Sequence, residues 1–202
     1  MQVKSTQQIN DWHLMLYHEE DFMNYFINGE GEFIDVGAHV GCWAVKLAPF
    51  YDKVHAFEPH PEAFKALEEN VKLNELNNVV TYNKAVGSEN KEIQLTLYEH
   101  SSHSTLFEHH PMEEHTGPIK GLHTIGLVRL DDYKFDKVGF IKIDTEGYEV
   151  EVVKGALETI KKHKPKLCIE IHAPENEQKV IDLLPEIQFT KLSNGVQPYL
   201  IA

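Results

Sequence analysis

Four polar side chains stand at the ends of two otherwise apolar runs in the sequence. Lys142 and Asp144 are two residues apart in VGFIKID, and Glu170 and His172 are two residues apart in KLCIEIH. Residues two apart in a strand share a face, and buried charges need partners. A carboxylate or an imidazole in such a group can take a proton from a reacting hydroxyl. Alternatively, Lys142 and Glu170 form a buried ion pair that only orders the sheet.

A second group of candidate residues lies in the run FIDVGAHVG, residues 33–41. An apolar strand is expected to end at Gly37 and a helix to begin near Gly41, a turn that lets a ligand approach the backbone. The usual dinucleotide pattern is GxGxxG, but here Ala38 or His39 stands at the middle glycine. A pyrophosphate would meet a side chain there, so NAD and FAD fit poorly.

Two acidic residues favour a cationic nucleoside at this turn. Asp35 would repel a pyrophosphate and attract an ammonium or sulfonium group. Glu58 ends the second strand, 58 − 35 = 23 residues later, where an acid binds ribose hydroxyls in this architecture. S-adenosylmethionine carries both positive groups and no phosphate. Singly, Asp35 could cap a turn and Glu58 could be a solvated strand end, but their positions on successive strands favour the nucleoside.

Short apolar strands alternate with amphipathic helices along the chain. Strands are predicted at residues 32–37, 53–58, 79–83, 92–98, 138–144 and 166–172, and helices at 41–47, 61–74, 147–162 and 175–184. The alternation predicts a doubly wound, Rossmann-like α/β fold, with a mostly parallel sheet and helices on both faces. Asn194-Gly195 separates two further strand-like runs and predicts a C-terminal antiparallel hairpin.

Two segments stand apart from this pattern. Residues 1–28 are predicted to be an N-terminal helical extension packed on the domain formed by residues 29–202. Residues 99–124 are predicted to be an irregular loop, and a substrate lid is the favoured role. Its five histidines between positions 100 and 115 could instead bind a divalent metal, but their spacing matches no zinc template. A metal is therefore not favoured, and no residue is assigned as a metal ligand.

Six motifs, in order, resemble those of the FkbM-type methyltransferases. These are S-adenosylmethionine-dependent enzymes of the class I fold, chiefly O-methyltransferases. The motifs are DVGAHVG (35–41), FEPHP (57–61), NKAVG (83–87), LDDY (130–133), IKIDTEGYE (141–149) and EIH (170–172). The family often has Asn where this chain has His39. The resemblance implies that the cofactor is held by Asp35, Gly37, Ala38, His39, Gly41, Glu58, Pro59, Asn83, Ala85 and Asp144.

The resemblance also gives the polar cluster a reaction. Methyl transfer to a hydroxyl requires that the acceptor lose its proton. We expect Asp144 or His172 to be the base, and Lys142 to orient Asp144 or to stabilise the developing alkoxide. Glu146 is a fourth catalytic candidate, although it could equally be a charge at the start of the following helix.

Composition limits the partners. Of 202 residues, 19 are Lys or Arg and 32 are Asp or Glu, for a net charge of −13, and Arg129 is the single arginine. Nucleic acid is therefore an improbable partner, since its binders concentrate Lys and Arg. No run resembles a membrane span or a signal peptide, and Cys42 and Cys168 are expected to be reduced and buried. We expect a cytoplasmic enzyme without a membrane partner, and the oligomeric state stays open.

The leading hypothesis is O-methylation of a hydroxyl on a small molecule or glycan. The alternative is a catalytically inactive nucleoside-binding module whose histidine-rich loop binds a partner. An NAD-dependent oxidoreductase is disfavoured by the glycine pattern, and nucleic-acid methylation is disfavoured by the charge.

Overall fold

The computed structural model describes residues 26–27, 29–98, 106, 118–193 and 198–202. The strands are β1 (Glu32–Val36), β2 (Lys53–Phe57), β3 (Val79–Tyr82), β4 (Ala85–Val86), β5 (Lys91–Tyr98), β6 (Ile119–Val128), β7 (Val138–Ile143), β8 (Lys166–Glu170), β9 (Thr190–Ser193) and β10 (Pro198–Ile201). The helices are α1 (Cys42–Leu47), α2 (Pro61–Leu73), α3 (Glu149–Lys154), α4 (Leu157–His163) and α5 (Pro174–Leu183).

Within these residues, seven strands form the main sheet in the order β3-β2-β1-β7-β8-β10-β9. The pairs from β3 to β8 are parallel, and β10 runs antiparallel to both β8 and β9. The predicted doubly wound sheet and C-terminal hairpin are therefore confirmed. Pro198 is the first residue of β10, a strand position that tolerates a missing N–H.

Alternate side chains of β1 pack against helices on opposite faces of the sheet. Phe33 lies in one buried cluster with Trp43 of α1 and Leu67 of α2. Ile34 lies in a second cluster with Val153 of α3 and Val180 of α5. Successive strand residues point to opposite faces, so a strand covered on both sides is apolar throughout its length. Both cysteines are buried, as expected.

A second sheet, in the order β4-β6-β5, was only partly predicted. The sequence indicated β5, but residues 119–124, which we predicted to be irregular, form the first part of β6. The alternation there is weak, because Gly121 and Gly126 interrupt it and Leu122 is exposed. The remainder of the histidine-rich segment, except Leu106 and Pro118, lies outside the described residues. So does the N-terminal extension, except Phe26 and Ile27.

The single helix predicted at residues 147–162 is wrong, because the chain forms α3 and α4 with a break at Gly155. In a continuous helix the Thr159 N–H would donate to the Gly155 carbonyl. Here the Asp131 N–H donates to that carbonyl at 3.0 Å, and the Asp131 carboxylate accepts from Thr159 N at 2.9 Å. A Cβ at position 155 would also overlap the carbonyl oxygen of Gly87. Asp131 thus makes the two hydrogen bonds that replace the helical one at the break.

No helix among the described residues is both long and apolar enough to cross a lipid bilayer.

Three stacked phenylalanine rings form the centre of the α1 face. The Phe140 ring lies 4.1 Å from that of Phe26 and 4.8 Å from that of Phe33, measured between centroids, with interplanar angles of 11° and 10°. All three side chains are fully buried. Since Phe140 is in β7 and Phe33 in β1, this stack fixes the central strand pair that also carries the polar residues of the site.

We expect Phe140→Ala to lower the free energy of unfolding by about 3–5 kcal/mol, because it leaves a cavity between two rings. The matched control is Phe50→Ala, whose parent side chain is 42% exposed and should cost much less. Urea denaturation followed by circular dichroism measures both values. Equal losses in the two variants would contradict the central role of this stack.

Candidate active site

The parallel register brings the predicted polar residues to one edge of the sheet. Asp35 of β1 pairs with Lys142 of β7, and Lys142 pairs with Cys168 of β8. Asp144 follows β7 directly, and its N–H donates to the Val36 carbonyl at 3.0 Å. Parallel strands end at the same edge, which is where open α/β sheets bind ligands. Residues far apart in sequence therefore meet here.

Lys142 is a buried cation at this edge, with only 2% of its surface exposed. Its Nζ lies 2.9 Å from Asp144 Oδ2 and 3.9 Å from Asp35 Oδ1. It also lies 5.7 Å from the centre of the Trp43 ring, within cation–π range. The ion pairs seen for Lys142 are thus with Asp144 and Asp35, whereas the sequence left a pair with Glu170 open.

The pKa of Asp144 reflects this surrounding charge. Burial pushes the pKa upward, but Lys142 and His172 outweigh burial and lower it below the usual aspartate value. The Lys142 ammonium binds Oδ2, while Oδ1 faces His172 at 3.7 Å. Asp144 is therefore an ionised carboxylate with one oxygen held and the other directed into the site.

His172 lies among acidic groups. Its Nδ1 is hydrogen-bonded to Glu149 Oε1 at 3.1 Å, and its Nε2 lies 3.5–3.8 Å from carboxylate oxygens of Glu146, Asp144 and Glu170. Burial lowers the pKa of His172, but the Glu149 hydrogen bond and the three other carboxylates raise it overall, to about 10. A ring with this pKa is protonated at neutral pH, which makes His172 a poorer candidate base than Asp144.

Glu149, at the start of α3, is the residue of this site that sequence reasoning missed. Its Oε1 also accepts the Gly147 N–H at 2.7 Å, and its Oε2 accepts from Asn176 Nδ2 at 2.9 Å. The side chain is fully buried. A glutamate in the first helical turn is normally explained by the helix dipole, so its contact with His172 became visible only in the fold.

The turn after β7 adopts left-handed backbone conformations. Glu146 has φ 52° and Gly147 has φ 105°, and the first is uncommon for a residue with a side chain. This turn brings the Glu146 carboxylate to His172. The neighbouring Thr145 has a buried Oγ1 that has no hydrogen-bond partner among the described residues.

The glycine turn packs directly on the end of β7. Gly37 has φ 77°, and a Cβ there would overlap the Asp144 carbonyl oxygen. Its N–H and that of Ala38 both donate to the Phe57 carbonyl at 3.0 Å, and the Gly41 N–H donates to Ala38. Only glycine fits such a close approach at positive φ. The predicted cofactor turn and the predicted base are therefore in backbone contact.

Glu58 closes the far side of the same turn. Its Oε2 accepts the His39 N–H and its Oε1 accepts the His60 N–H, both at 2.7 Å. Burial raises the pKa of Glu58 to about 7, although these two hydrogen bonds oppose the rise. The Asn83 side-chain amide donates to the carbonyls of Glu58 and Pro59 at 2.9 and 3.2 Å. Asn83 thus fixes the turn that carries Glu58.

Ala85 occupies a different place from the other predicted cofactor residues. It lies buried in β4 of the small sheet, paired with Leu127. Asn83, two residues earlier, connects that sheet to the β2 turn through the bonds just described.

The donors around the turn suit a nucleoside without phosphates. The α2 N–H groups of Glu62 and Ala63, which would otherwise attract a phosphate, donate to His60 Nδ1. Carboxylates of Asp35 and Glu58 lie at the adjoining strand ends. S-adenosylmethionine, a cationic nucleoside, fits this set.

The model of the FkbM methyltransferase domain family matches residues 35–192. The chain belongs to the FkbM methyltransferase family. The match covers all six motifs that carried the resemblance from the sequence.

Two curated relatives and one solved structure extend this result. The chain is 28% identical over 156 residues to hexuronic acid methyltransferase AglP of Haloferax volcanii, covering 77% of this chain and 62% of that protein. It is 26% identical over 145 residues to Methyltransferase 1 of Beauveria bassiana, covering 60% and 57%. The chain thus spans about three fifths of each relative. A methyltransferase FkbM structure from Methylobacillus flagellatus superposes with a TM-score of 0.61 at 17% identity, covering 96% of this chain and 55% of that one, and confirms the fold.

We expect Glu149→Gln to lower the pKa of His172 below its value of about 10 in the parent protein. The variant removes the carboxylate that favours the protonated ring, so the imidazole should lose its proton at a lower pH. NMR titration of the ring resonances in EDTA-containing buffer measures this pKa. Glu69→Gln, on the exposed side of α2, is the control and should leave the titration unchanged. An unshifted His172 titration in Glu149→Gln would contradict the arrangement.

Proposed function

We propose that this chain is an S-adenosylmethionine-dependent O-methyltransferase acting on a hydroxyl of a small molecule or glycan. The observation that carries the proposal is the backbone contact between the Gly37 turn and Asp144. A donor bound at the turn and a carboxylate able to receive a proton therefore share one edge of the sheet. Family membership supports the reaction class.

The residues that would hold the cofactor lie in and around the glycine turn. One is Asp144, which packs against the turn, and the others are Asp35, Gly37, Ala38, His39, Gly41, Glu58, Pro59, Asn83 and Ala85. When bound, S-adenosylmethionine supplies an electrophilic methyl group on a sulfonium. Each Glu58 oxygen accepts one backbone N–H and keeps a further lone pair that can accept from a ribose hydroxyl. Asp35 lies beside Lys142, so it stabilises that lysine as well as contributing negative potential.

Asp144 is the proposed base. The acceptor hydroxyl must give up one proton as its oxygen bonds to the methyl carbon, and Asp144 Oδ1 would receive it. Lys142 holds the other carboxylate oxygen at 2.9 Å and thereby fixes the orientation. His172 and Glu146 are proposed to position the Asp144 carboxylate from the side opposite Lys142. The His172 Nε2 and Glu146 Oε1 atoms lie 3.5 Å apart.

The relatives narrow the acceptor class. AglP is named a hexuronic acid methyltransferase, which favours a sugar acceptor over a nucleic acid for this acidic chain. An inactive binding module is less well supported, because Lys142, Asp144 and His172 form a complete group for handling a proton. Two buried cysteines are typical of a reducing compartment and support a cytoplasmic location.

Cofactor binding is tested first. We expect Glu58→Ala to weaken the binding of S-adenosylhomocysteine at least about tenfold, the cost of losing one charged hydrogen-bond acceptor. Glu58→Gln, which retains one acceptor oxygen, should have an intermediate effect. Isothermal titration calorimetry measures the affinities, and thermal denaturation shows whether each variant is folded. Glu62→Ala on α2 is the control, and equal affinities in all proteins would contradict the assignment of Glu58.

Turnover is tested with radiolabelled S-adenosylmethionine and a panel of uronic acid and neutral sugars. We expect Asp144→Asn to lower kcat by about 10²–10⁴-fold, the usual contribution of a general base, because the amide cannot receive the proton. His172→Ala should lower kcat less, since it acts through position. Parental turnover in Asp144→Asn would refute the proposed base.

A further inference from the structure

The surroundings of His172 Nε2 differ from those of an ordinary hydrogen-bonded imidazole. Three carboxylate oxygens face this nitrogen: Glu146 Oε1 at 3.5 Å, Asp144 Oδ1 at 3.7 Å and Glu170 Oε1 at 3.8 Å. N–H···O bonds are about 2.7–3.2 Å long, so each oxygen lies beyond that length. None of the three oxygens therefore makes a hydrogen bond of ordinary length to this nitrogen.

Their separations suit a shared cation. Bonds from a first-row divalent ion to nitrogen or oxygen are about 2.0–2.2 Å, which puts adjacent ligand atoms roughly 3–4 Å apart. Ligand atoms of Asp144, Glu170 and His172 all lie within 4.8 Å of one another. Small side-chain movements would therefore complete the coordination of one ion.

The other face of the imidazole supplies an independent observation. His172 is only 7% exposed, and its Nδ1 is paired with Glu149, which is itself fixed by the Gly147 N–H and by Asn176. Histidines that bind metals usually donate their second ring N–H to a carboxylate in this way, which directs the remaining nitrogen at the ion. Here Nε2 is directed at the three carboxylates.

The negative charges around His172 Nε2 also favour the binding of a cation. The carboxylates of Glu146, Asp144 and Glu170 converge on His172 Nε2. Lys142 binds Asp144 Oδ2, the oxygen that faces away from that nitrogen. A protonated His172 brings one positive charge to these carboxylates, whereas a divalent ion that displaces the Nε2 proton would bring two and relieve more of their mutual repulsion.

We propose that Asp144, Glu170 and His172 bind a divalent metal ion, with Glu146 as a further ligand or the holder of a bound water. One imidazole nitrogen with several carboxylate oxygens suits Mn²⁺ or Zn²⁺. This site differs from the sequence-based expectation, which assigned no metal ligands and considered only the histidine-rich segment.

The proposed ion deepens the proposed function and rests on it for its role. Asp144 Oδ1 has two lone pairs, so one would bind the ion and the other would remain to receive the acceptor proton. Coordination positions not filled by the chain would take an oxygen of the acceptor, so that an anionic sugar could enter a site lined by carboxylates. Binding of the ion itself does not depend on turnover.

The experiment uses Mn²⁺ as the probe, detected by electron paramagnetic resonance of free Mn²⁺. The background protein carries Gln at His100, His103, His109, His110 and His115, so that the histidine-rich segment cannot contribute. We expect one Mn²⁺ per chain, and a dissociation constant raised at least tenfold by either His172→Gln or Glu170→Gln. The matched controls are His123→Gln and Glu92→Gln, both in the small sheet, which should leave binding unchanged.

A second measurement avoids substitution in the site. Mn²⁺ should broaden the His172 ring resonances of the same background protein before those of His123. Absence of Mn²⁺ binding in that background, or equal broadening of both rings, would overturn the metal site. Turnover that persists in EDTA would contradict the metal's role while leaving the methyltransferase proposal intact. Mn²⁺ binding without turnover on any acceptor would support the site and count against the proposed function.

Discussion

Charge balance beneath one edge of the main sheet constrains the rest of this structure. Asp35 and Glu149 are fully buried, and Lys142 and His172 are nearly so. An uncompensated charge in such a place is strongly destabilising, so each carboxylate must lie beside a cation or a donor. The strand register provides this, because Asp35 faces Lys142 across β1 and β7. A slip of one residue would turn Lys142 into the apolar cluster on the other face.

The helices on the second face take part in the same arrangement. Glu149 begins α3 and joins His172 to Asn176 of α5. Asp131 separates α3 from α4 by accepting from Thr159 and donating to Gly155. The LDDY motif that contains Asp131 therefore has a structural role here, whereas the DVGAHVG and IKIDTEGYE motifs form the candidate active site. Motifs of one family thus divide between those that shape the fold and those that form the candidate site.

Much of the fold could be predicted, because buried parallel strands are apolar throughout and are bounded by glycine and polar residues. The strands of the main sheet and the grouping of Lys142, Asp144 and His172 followed from that pattern. β6 could not be predicted, since its glycines and exposed Leu122 obscure the alternation. The helix break at Gly155 was also missed, because its cause is Asp131, a residue 24 positions earlier in the sequence.

The sequence by itself determined the layered α/β fold, the glycine turn and the edge at which the polar residues collect. These features depend on local periodicity and on the rule that parallel strands end together. Only the tertiary structure decided which carboxylate pairs with which cation. Asp144 and Asp35 lie beside Lys142, while Glu149 is hydrogen-bonded to His172. The physical reason is that pairing energies depend on distance and burial, and both are set by strand register and helix packing between segments remote in sequence.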